Sequence, residues 1–283
     1  SEYLFKNERE ISIERALLYT ESYKETEGKS QIIRRAKATE NILDKVEISI
    51  REKEIIAGNR TVKPRSGIIS PEMDPYWILE EIDTMISRPQ DKFKFTEKDK
   101  VIYKEELFPY WQGKSMKDSI ECNIGEDIKA SVKEKIVKLN QTDKGQGHII
   151  PDFETVLNNG LGHLIELINK KLRENPDNEF YQASKIVLDA SARHILRYAE
   201  LAEKMTEAET DITRKEDLKK IAEISRKIST GKPESFHEAL QLLWYVCVIL
   251  QYESNASSIS LGRVDQYLND FYVSDLKKNI PEN

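Results

Sequence analysis

The chain reads as a mainly helical protein, and three observations carry that reading. Apolar residues recur at helical spacing through most of its length, the intervals between these stretches hold caps or Gly/Pro stops, and one run is apolar on all sides. That run covers residues 239–250, in which only Gln241 is polar. A helix apolar almost all round is a buried helix, and Ser235-Phe236-His237-Glu238 opens it as a capping box.

In order along the chain, residues 11–25 place Ile13, Ala16, Leu17 and Thr20 on one helical face, and residues 30–45 form a basic-faced helix through Ile32, Ile33, Ala36 and Ile42. Val46-Glu47-Ile48-Ser49-Ile50 then alternates with period two, and Gly58-Asn59 supplies a turn, so residues 46–60 are expected to form one small extended element, a short hairpin. Residues 61–75 contain Pro64, Gly67, Pro71 and Pro75 and are expected to be irregular. Helices follow over 75–85, 96–111 and 127–139, and the Gly145–Asp152 segment (Gly-Gln-Gly-His-Ile-Ile-Pro-Asp) breaks the series as a glycine-flanked loop. Residues 156–172 are helical despite Gly160 and Gly162. The stretch 178–205 turns Ile186, Ala190, Ile195 and Ala199 inward, and 215–229 is stopped by Gly231 and Pro233. No repeat and no internal domain boundary is visible.

Bulk properties exclude several function classes. Charged residues make up 33 % and the hydrophobic class 39 % of the 283 residues, a balance that supports a core rather than disorder. The net charge of −6 has no basic block behind it, which argues against nucleic acid. The 239–250 run is too short to span a bilayer, which argues against a membrane protein. The sequence opens at Ser1 without a signal peptide, so a cytoplasmic location is expected. Cys122 and Cys247 are too few for a framework of several disulfides or a CxxC metal site; Cys247 reads as a packed thiol and Cys122 as a surface one.

Candidate chemistry concentrates in two places. His148 has glycine neighbours and Asp152 four residues on, an arrangement that suits acid–base work or, equally, a surface or capping histidine. His163, His194 and His237 fall on helices and read as structural; none of the four histidines has metal-ligand spacing, so no metal is expected. Past the buried helix, Asn255, Ser257, Ser258 and Ser260 can either hydrogen-bond a polar substrate or cap the helix C-terminus. Arg263 can pair with Asp265 or with an anionic ligand. There is no GxSxG nucleophile motif and no phosphate loop.

Several segments resemble the amino-terminal part of glycyl radical enzymes of the pyruvate formate-lyase type. They are Gly58-Asn59-Arg60-Thr61, Ser70-Pro71-Glu72, Tyr76-Trp77, Gly147-His148-Ile149-Ile150-Pro151-Asp152, Phe236-His237-Glu238-Ala239-Leu240-Gln241, Glu253-Ser254-Asn255, and Leu261-Gly262-Arg263-Val264-Asp265-Gln266-Tyr267. Arg193-His194-Ile195-Leu196-Arg197-Tyr198 and Gln251-Tyr252-Glu253-Ser254-Asn255-Ala256-Ser257-Ser258 look most like the formate acetyltransferase 2 branch, itself similar to glycerol and diol dehydratases.

The resemblance covers essentially the whole chain and implies the helical amino-terminal portion of a ten-stranded barrel fold. It implies a lyase or dehydratase, formate acetyltransferase-like in family, acting on a small hydroxylated substrate. In such enzymes an activating enzyme with S-adenosylmethionine and an iron–sulfur cluster installs a backbone glycyl radical, which oxidises a cysteine to the thiyl that attacks substrate. The loops that carry this chemistry, Gly-Cys-Val-Glu and Arg-Val-Ser/Ala-Gly-Tyr, do not occur here, and neither Cys122 nor Cys247 stands in that context. Residues 1–283 are therefore expected to be a fragment that ends before both loops, with no catalytic residue and no cofactor of its own. The expected partners are a carboxyl-terminal portion or second chain bearing the loops, the activating enzyme, the substrate, and a second copy in a homodimer. By position, His148, Asp152, Asn255 and Ser258 resemble substrate-pocket residues. The competing expectation is a non-catalytic homologue that serves as a helical interaction module.

Overall fold

The computed structural model describes residues 5–137, 148–255 and 258–278. The glycine-flanked loop at 145–147, residues Ala256 and Ser257, and the His148 side chain lie outside the described residues. The helix expected over residues 127–139 already ends at Lys133, where Glu134 caps it and Lys135 takes the left-handed region at φ +61°. The chain gathers into two compact units, each built from three stretches of sequence.

The first unit comprises Ser1–Glu21, Lys63–His148 and Ser254–Ser258. Its strand β1 (Glu10–Ser12) runs parallel to β2 (Ser66–Ile68), with Ile11 opposite Gly67. Helix α1 (Glu14–Glu25) follows β1, so the apolar spacing that suggested a helix from Ile11 begins in strand and becomes helix three residues later. Ile11, Ile13 and Ala16 pack with Ile69, Ile78, Ile82, Met85, Phe95, Tyr103 and Leu107 in one apolar core. Around it lie α2 (Tyr76–Glu81), α3 (Glu97–Ile102), a π-helical turn over Tyr103–Leu107, and α4 (Phe108–Trp111). Tyr103 turns inward and donates its hydroxyl proton to the Pro75 carbonyl at 2.7 Å. Then come α5 (Met116–Asn123), opened by a Ser115/Asp118 capping box, and α6 (Glu126–Lys133).

The second unit comprises Ser22–Val62, Ile149–Glu253 and Ile259–Asn283. Helix α7 (Gln31–Lys45) carries Ala36, Ala38, Ile42 and Leu43 on its buried side. It packs on the thirty-residue α9 (Glu179–Ala208), which also meets α8 (Phe153–Glu174) and α10 (Ile212–Ile228). Asn178 and Asp211 cap α9 and α10 by accepting the Tyr181 and Arg214 amides. The expected core helix is α11 (Phe236–Ser254), whose Ala239, Leu242, Tyr245, Val248 and Tyr252 are buried. Its opening box is present in altered form: Ser235 Oγ accepts from the Glu238 amide, while the Glu238 carboxylate reaches the Glu234 amide. Short helices α12 (Val264–Tyr267) and α13 (Asn269–Lys277) close the chain.

Residues 46–60 form neither strand nor hairpin, which corrects the reading of the Val46–Ile50 alternation. The alternation does track burial, with Val46 and Ile50 buried and Glu47 exposed, but side chains of the helices occupy the backbone groups that a strand partner would use. Arg197 Nη2 donates to the Val46 carbonyl at 2.6 Å, and Arg214 donates to the carbonyls of Glu54 at 2.7 Å and Arg51 at 2.8 Å. The Gln241 amide binds both the N–H and the C=O of Ala57, and Tyr252 donates to the Asn59 carbonyl at 2.8 Å. A second correction concerns residues 61–75: they include β2, a strand of three residues whose parallel partner lies more than fifty positions away.

Candidate functional site

The two stretches singled out by sequence meet as a ribbon. Strand β3 (His148–Ile149) pairs with β4 (Ser258–Ile259), and the Ser260 amide donates to the Ile149 carbonyl at 3.0 Å. His148 and Ser258 therefore occupy paired strands, and the Ser258 side chain is solvent-exposed. Just beyond the strands the apolar side chains of Ile150 and Leu261 are exposed as well. The ribbon thus presents a mixed polar and apolar surface.

Asp152 takes a capping role at the head of α8. It is the N-cap of α8, exposed, and accepts from the Thr155 amide at 3.0 Å and the Thr155 hydroxyl at 2.6 Å. Those two donors hold its carboxyl below the usual carboxylate range, so it is ionised near neutrality.

Asn255 ends α11 in the left-handed region, with φ +44°, a conformation that asparagine tolerates better than most residues. Its Nδ2 donates to Ser70 Oγ at 2.5 Å and to the Ile68 carbonyl at 3.2 Å. Ser70 Oγ also accepts from Arg15 Nη1 at 3.2 Å, and the same guanidinium holds Glu72 Oε1 at 2.7 Å. Arg15 is 1 % exposed and its guanidinium lies over the Tyr19 ring, 4.9 Å from the centroid. From sequence, Arg15 counts only as part of a weak helix start with Ser12 and not as a site residue. Its signal was present, as a lone cation between Ile13 and Ala16 on the face of α1 that packs inward.

The remaining candidates take local roles. Ser260 Oγ accepts from the Gly262 amide at 3.1 Å, and the Tyr267 hydroxyl donates to the Leu261 carbonyl at 2.7 Å. Arg263 donates to Gln266 Oε1 at 3.2 Å rather than to Asp265. In the second unit a cleft of about 690 Å³ is lined by Arg263, Lys232 and Lys278 and by Glu154, Glu234 and Asp270, a charge balance that favours neither sign of ligand.

His194 is fully buried, His237 Nε2–H donates to the Ile55 carbonyl at 3.1 Å, and His163 is exposed. Cys122 is exposed, whereas Cys247 is buried and its thiol is pushed up by burial, away from thiolate reactivity. Among the described residues no cluster of three or more His, Cys, Asp or Glu side chains is arranged to hold a metal ion. No described helix is long and apolar enough to cross a membrane.

Comparison with known proteins gives this arrangement a context. The family model described as pyruvate formate lyase-like matches residues 1–282. The probable dehydratase YbiW of Escherichia coli K12 is 34 % identical over 279 residues, which cover 95 % of this chain and 34 % of that protein. The (2S)-3-sulfopropanediol dehydratase of Klebsiella oxytoca is 34 % identical over 283 residues, again covering 95 % and 34 %. Among solved structures, a glycyl radical enzyme from Archaeoglobus fulgidus superposes with a TM-score of 0.93 at 35 % identity, covering all of this chain and 38 % of the other. The glycerol-bound B12-independent glycerol dehydratase from Clostridium butyricum gives 0.91 at 32 % identity, covering 95 % and 35 %. The chain thus spans about a third of the length of the relatives it matches. With its helical architecture matching solved glycyl radical enzymes and its sequence matched almost end to end, the chain belongs to the pyruvate formate lyase-like family.

Proposed function

We propose that the chain supplies one wall of the substrate pocket of a glycyl radical lyase or dehydratase acting on a small hydroxylated molecule. The observation that carries this reading is the β3–β4 ribbon, which brings His148 and Ser258 onto paired strands in a chain similar throughout to dehydratases. An exposed hydroxyl on a paired strand suits hydrogen bonding to a substrate hydroxyl, and such contacts bind and orient. Asp152 fixes the start of α8 beside this ribbon, and Asn255 fixes the end of α11 before it.

The residues present fit substrate binding and do not fit hydrogen abstraction. Cys247 is buried on α11 and Cys122 lies on the surface of α5, so the radical step belongs to polypeptide bearing the cysteine and glycine loops. The radical, installed by the activating enzyme, supplies the homolytic chemistry; this chain's part is to hold the substrate.

The test is anaerobic reconstitution. The chain is coexpressed with a polypeptide carrying both loops and with the activating enzyme, then assayed against small diols and hydroxylated sulfonates. A glycyl radical signal in electron paramagnetic resonance, with turnover that Ser258→Ala weakens by about tenfold in KM, supports the reading. Failure of the two polypeptides to associate, or turnover indifferent to Ser258→Ala, overturns it.

A non-catalytic role as a helical interaction module draws on a different feature. A groove of about 480 Å³ in the second unit is lined by Ile32, Leu164, Leu167, Ile168, Phe180 and Val187, with Phe180 60 % exposed. Association with a full-length homologue that slows its turnover, and that Phe180→Glu abolishes, would favour this second reading.

A further inference from the structure

The Asn255 amide group has two protons to donate, and both are used inside the protein, toward Ser70 Oγ and the Ile68 carbonyl. Its NH₂ is thus fully engaged inside the protein. The acceptors are themselves held. Ile68 closes the register of β2 against β1 opposite Ser12, and Ser70 Oγ receives a second donor from the buried Arg15. Arg15 in turn is fixed by Glu72 Oε1 and by the Tyr19 ring, and the Glu72 carbonyl accepts from the Met116 amide at 2.9 Å. Arg15, Ser70 and Glu72 are all more than nine-tenths buried, so the chain of contacts has little freedom to relax.

We propose that Arg15 and Ser70 are positioning residues: through Asn255 they fix the direction in which the chain leaves α11, and so place Ser258, three residues on, for contact with substrate. The proposal rests on the pocket reading for the role of Ser258, but not for the placement itself. The physical reason is the backbone at Asn255. A residue at φ +44° costs free energy that the flanking contacts must offset, and the amide anchor supplies them. Without the anchor the helix end relaxes toward right-handed geometry.

Two substitutions separate anchoring from backbone strain. Asn255→Gly keeps the left-handed conformation free of steric cost but deletes the amide, and Ser70→Ala deletes the acceptor that Arg15 and Asn255 share. Ser70→Thr restores the hydroxyl. Hydrogen exchange, followed by mass spectrometry on the chain itself, reads the amides from Ser258 to Gly262. The expected result is about tenfold faster exchange in Asn255→Gly and Ser70→Ala, recovery in Ser70→Thr, and no change in the middle of α11.

In the reconstituted enzyme the same variants raise KM by about tenfold with kcat within about twofold, again recovered by Ser70→Thr. Exchange unchanged in folded Asn255→Gly overturns the positioning role whatever the activity shows. Faster exchange with no wild-type turnover upholds the anchor and overturns the pocket reading instead.

Discussion

The Nδ1–H of His194 donates to the Leu43 carbonyl at 2.8 Å, while its Nε2 is buried without a hydrogen-bond partner among the described residues. A carbonyl only accepts, so the ring is the neutral Nδ1-protonated tautomer. The rings of Tyr198 and Tyr252 stand edge-on to it at 5.5 and 5.7 Å, tying α9 to α11. Burial, aided by the Arg197 charge, pushes the imidazole down to about 4 from its ordinary 6.5. The folded state therefore resists a proton that the unfolded chain accepts. Stability from this group is fully present above pH 6.5 and is lost as pH falls through about 4.

The expected size of that loss is on the order of 3 kcal/mol, read by urea denaturation across this window. His194→Phe removes the titration and leaves the Leu43 carbonyl bound to Arg197 Nη1 at 2.6 Å. Its stability should fall at neutral pH but depend less on pH below 6.5. An unchanged acid slope in the variant contradicts the assignment.

Arg15 and Glu72 should behave as a buried ion pair whose halves need one another. Their side chains are 1 % and 6 % exposed, so removing one leaves the other as an uncompensated buried charge. Arg15→Met or Glu72→Gln is expected to cost about 3–5 kcal/mol in urea unfolding, with the double variant less destabilised than the sum. Strict additivity in that cycle would show that the two side chains do not couple.

Gly160 interrupts α8 with φ +77°, and a Cβ there would sit 2.7 Å from the backbone of Gly231 and Lys232. Backbone cannot swing aside as a side chain can, so Gly160→Ala combines left-handed strain with a clash. A loss above about 3 kcal/mol is expected. Gly28 has φ +84° with nothing within 4 Å, so Gly28→Ala should lose only about 1 kcal/mol in the same thermal or urea measurement. Equal losses at the two positions would remove the packing component from the argument.

These glycines show what the sequence made legible and what it hid. Gly160 could be seen to weaken a helix, but its contact with Gly231 joins positions 71 residues apart and has no local signature. The long helices were legible because periodicity, N-caps such as Asn178, and stops such as Gly231 lie within one stretch. Strands β1 and β2 were not, because three residues cannot display an alternation and a parallel partner is remote. Residues 46–60 misled for a related reason: alternation reports which side chains are buried, and not whether the backbone meets another strand or a set of arginines. At the candidate site, the polar segment after α11 stood out by composition. Its anchor at Arg15 and Ser70 did not, since more than 180 positions separate Asn255 from Ser70.

Gln241 is the polar residue in the otherwise apolar run of α11, and its partner explains why it is there. Its Oε1 accepts from the Ala57 amide at 2.8 Å and its Nε2 donates to the Ala57 carbonyl at 2.7 Å, with both residues fully buried. The side chain stands in for a strand neighbour, satisfying a peptide unit that has no ladder of its own. Gln241→Leu makes the helix uniformly apolar and improves the match to a buried helix by hydropathy alone. It also strands a buried N–H and a buried C=O, each costing about 1–3 kcal/mol when left unmade. The second term outweighs the transfer gain of one leucine, about 1.5–3 kcal/mol at most and reduced further by the polar surroundings. Gln241→Leu is therefore expected to lower stability in urea unfolding and to speed amide exchange at Ala57, while Gln241→Glu at low pH, protonated and able both to donate and to accept, should recover part of the loss. A Gln241→Leu protein as stable as wild type would mean that water satisfies the Ala57 peptide and that the amide bracket is dispensable.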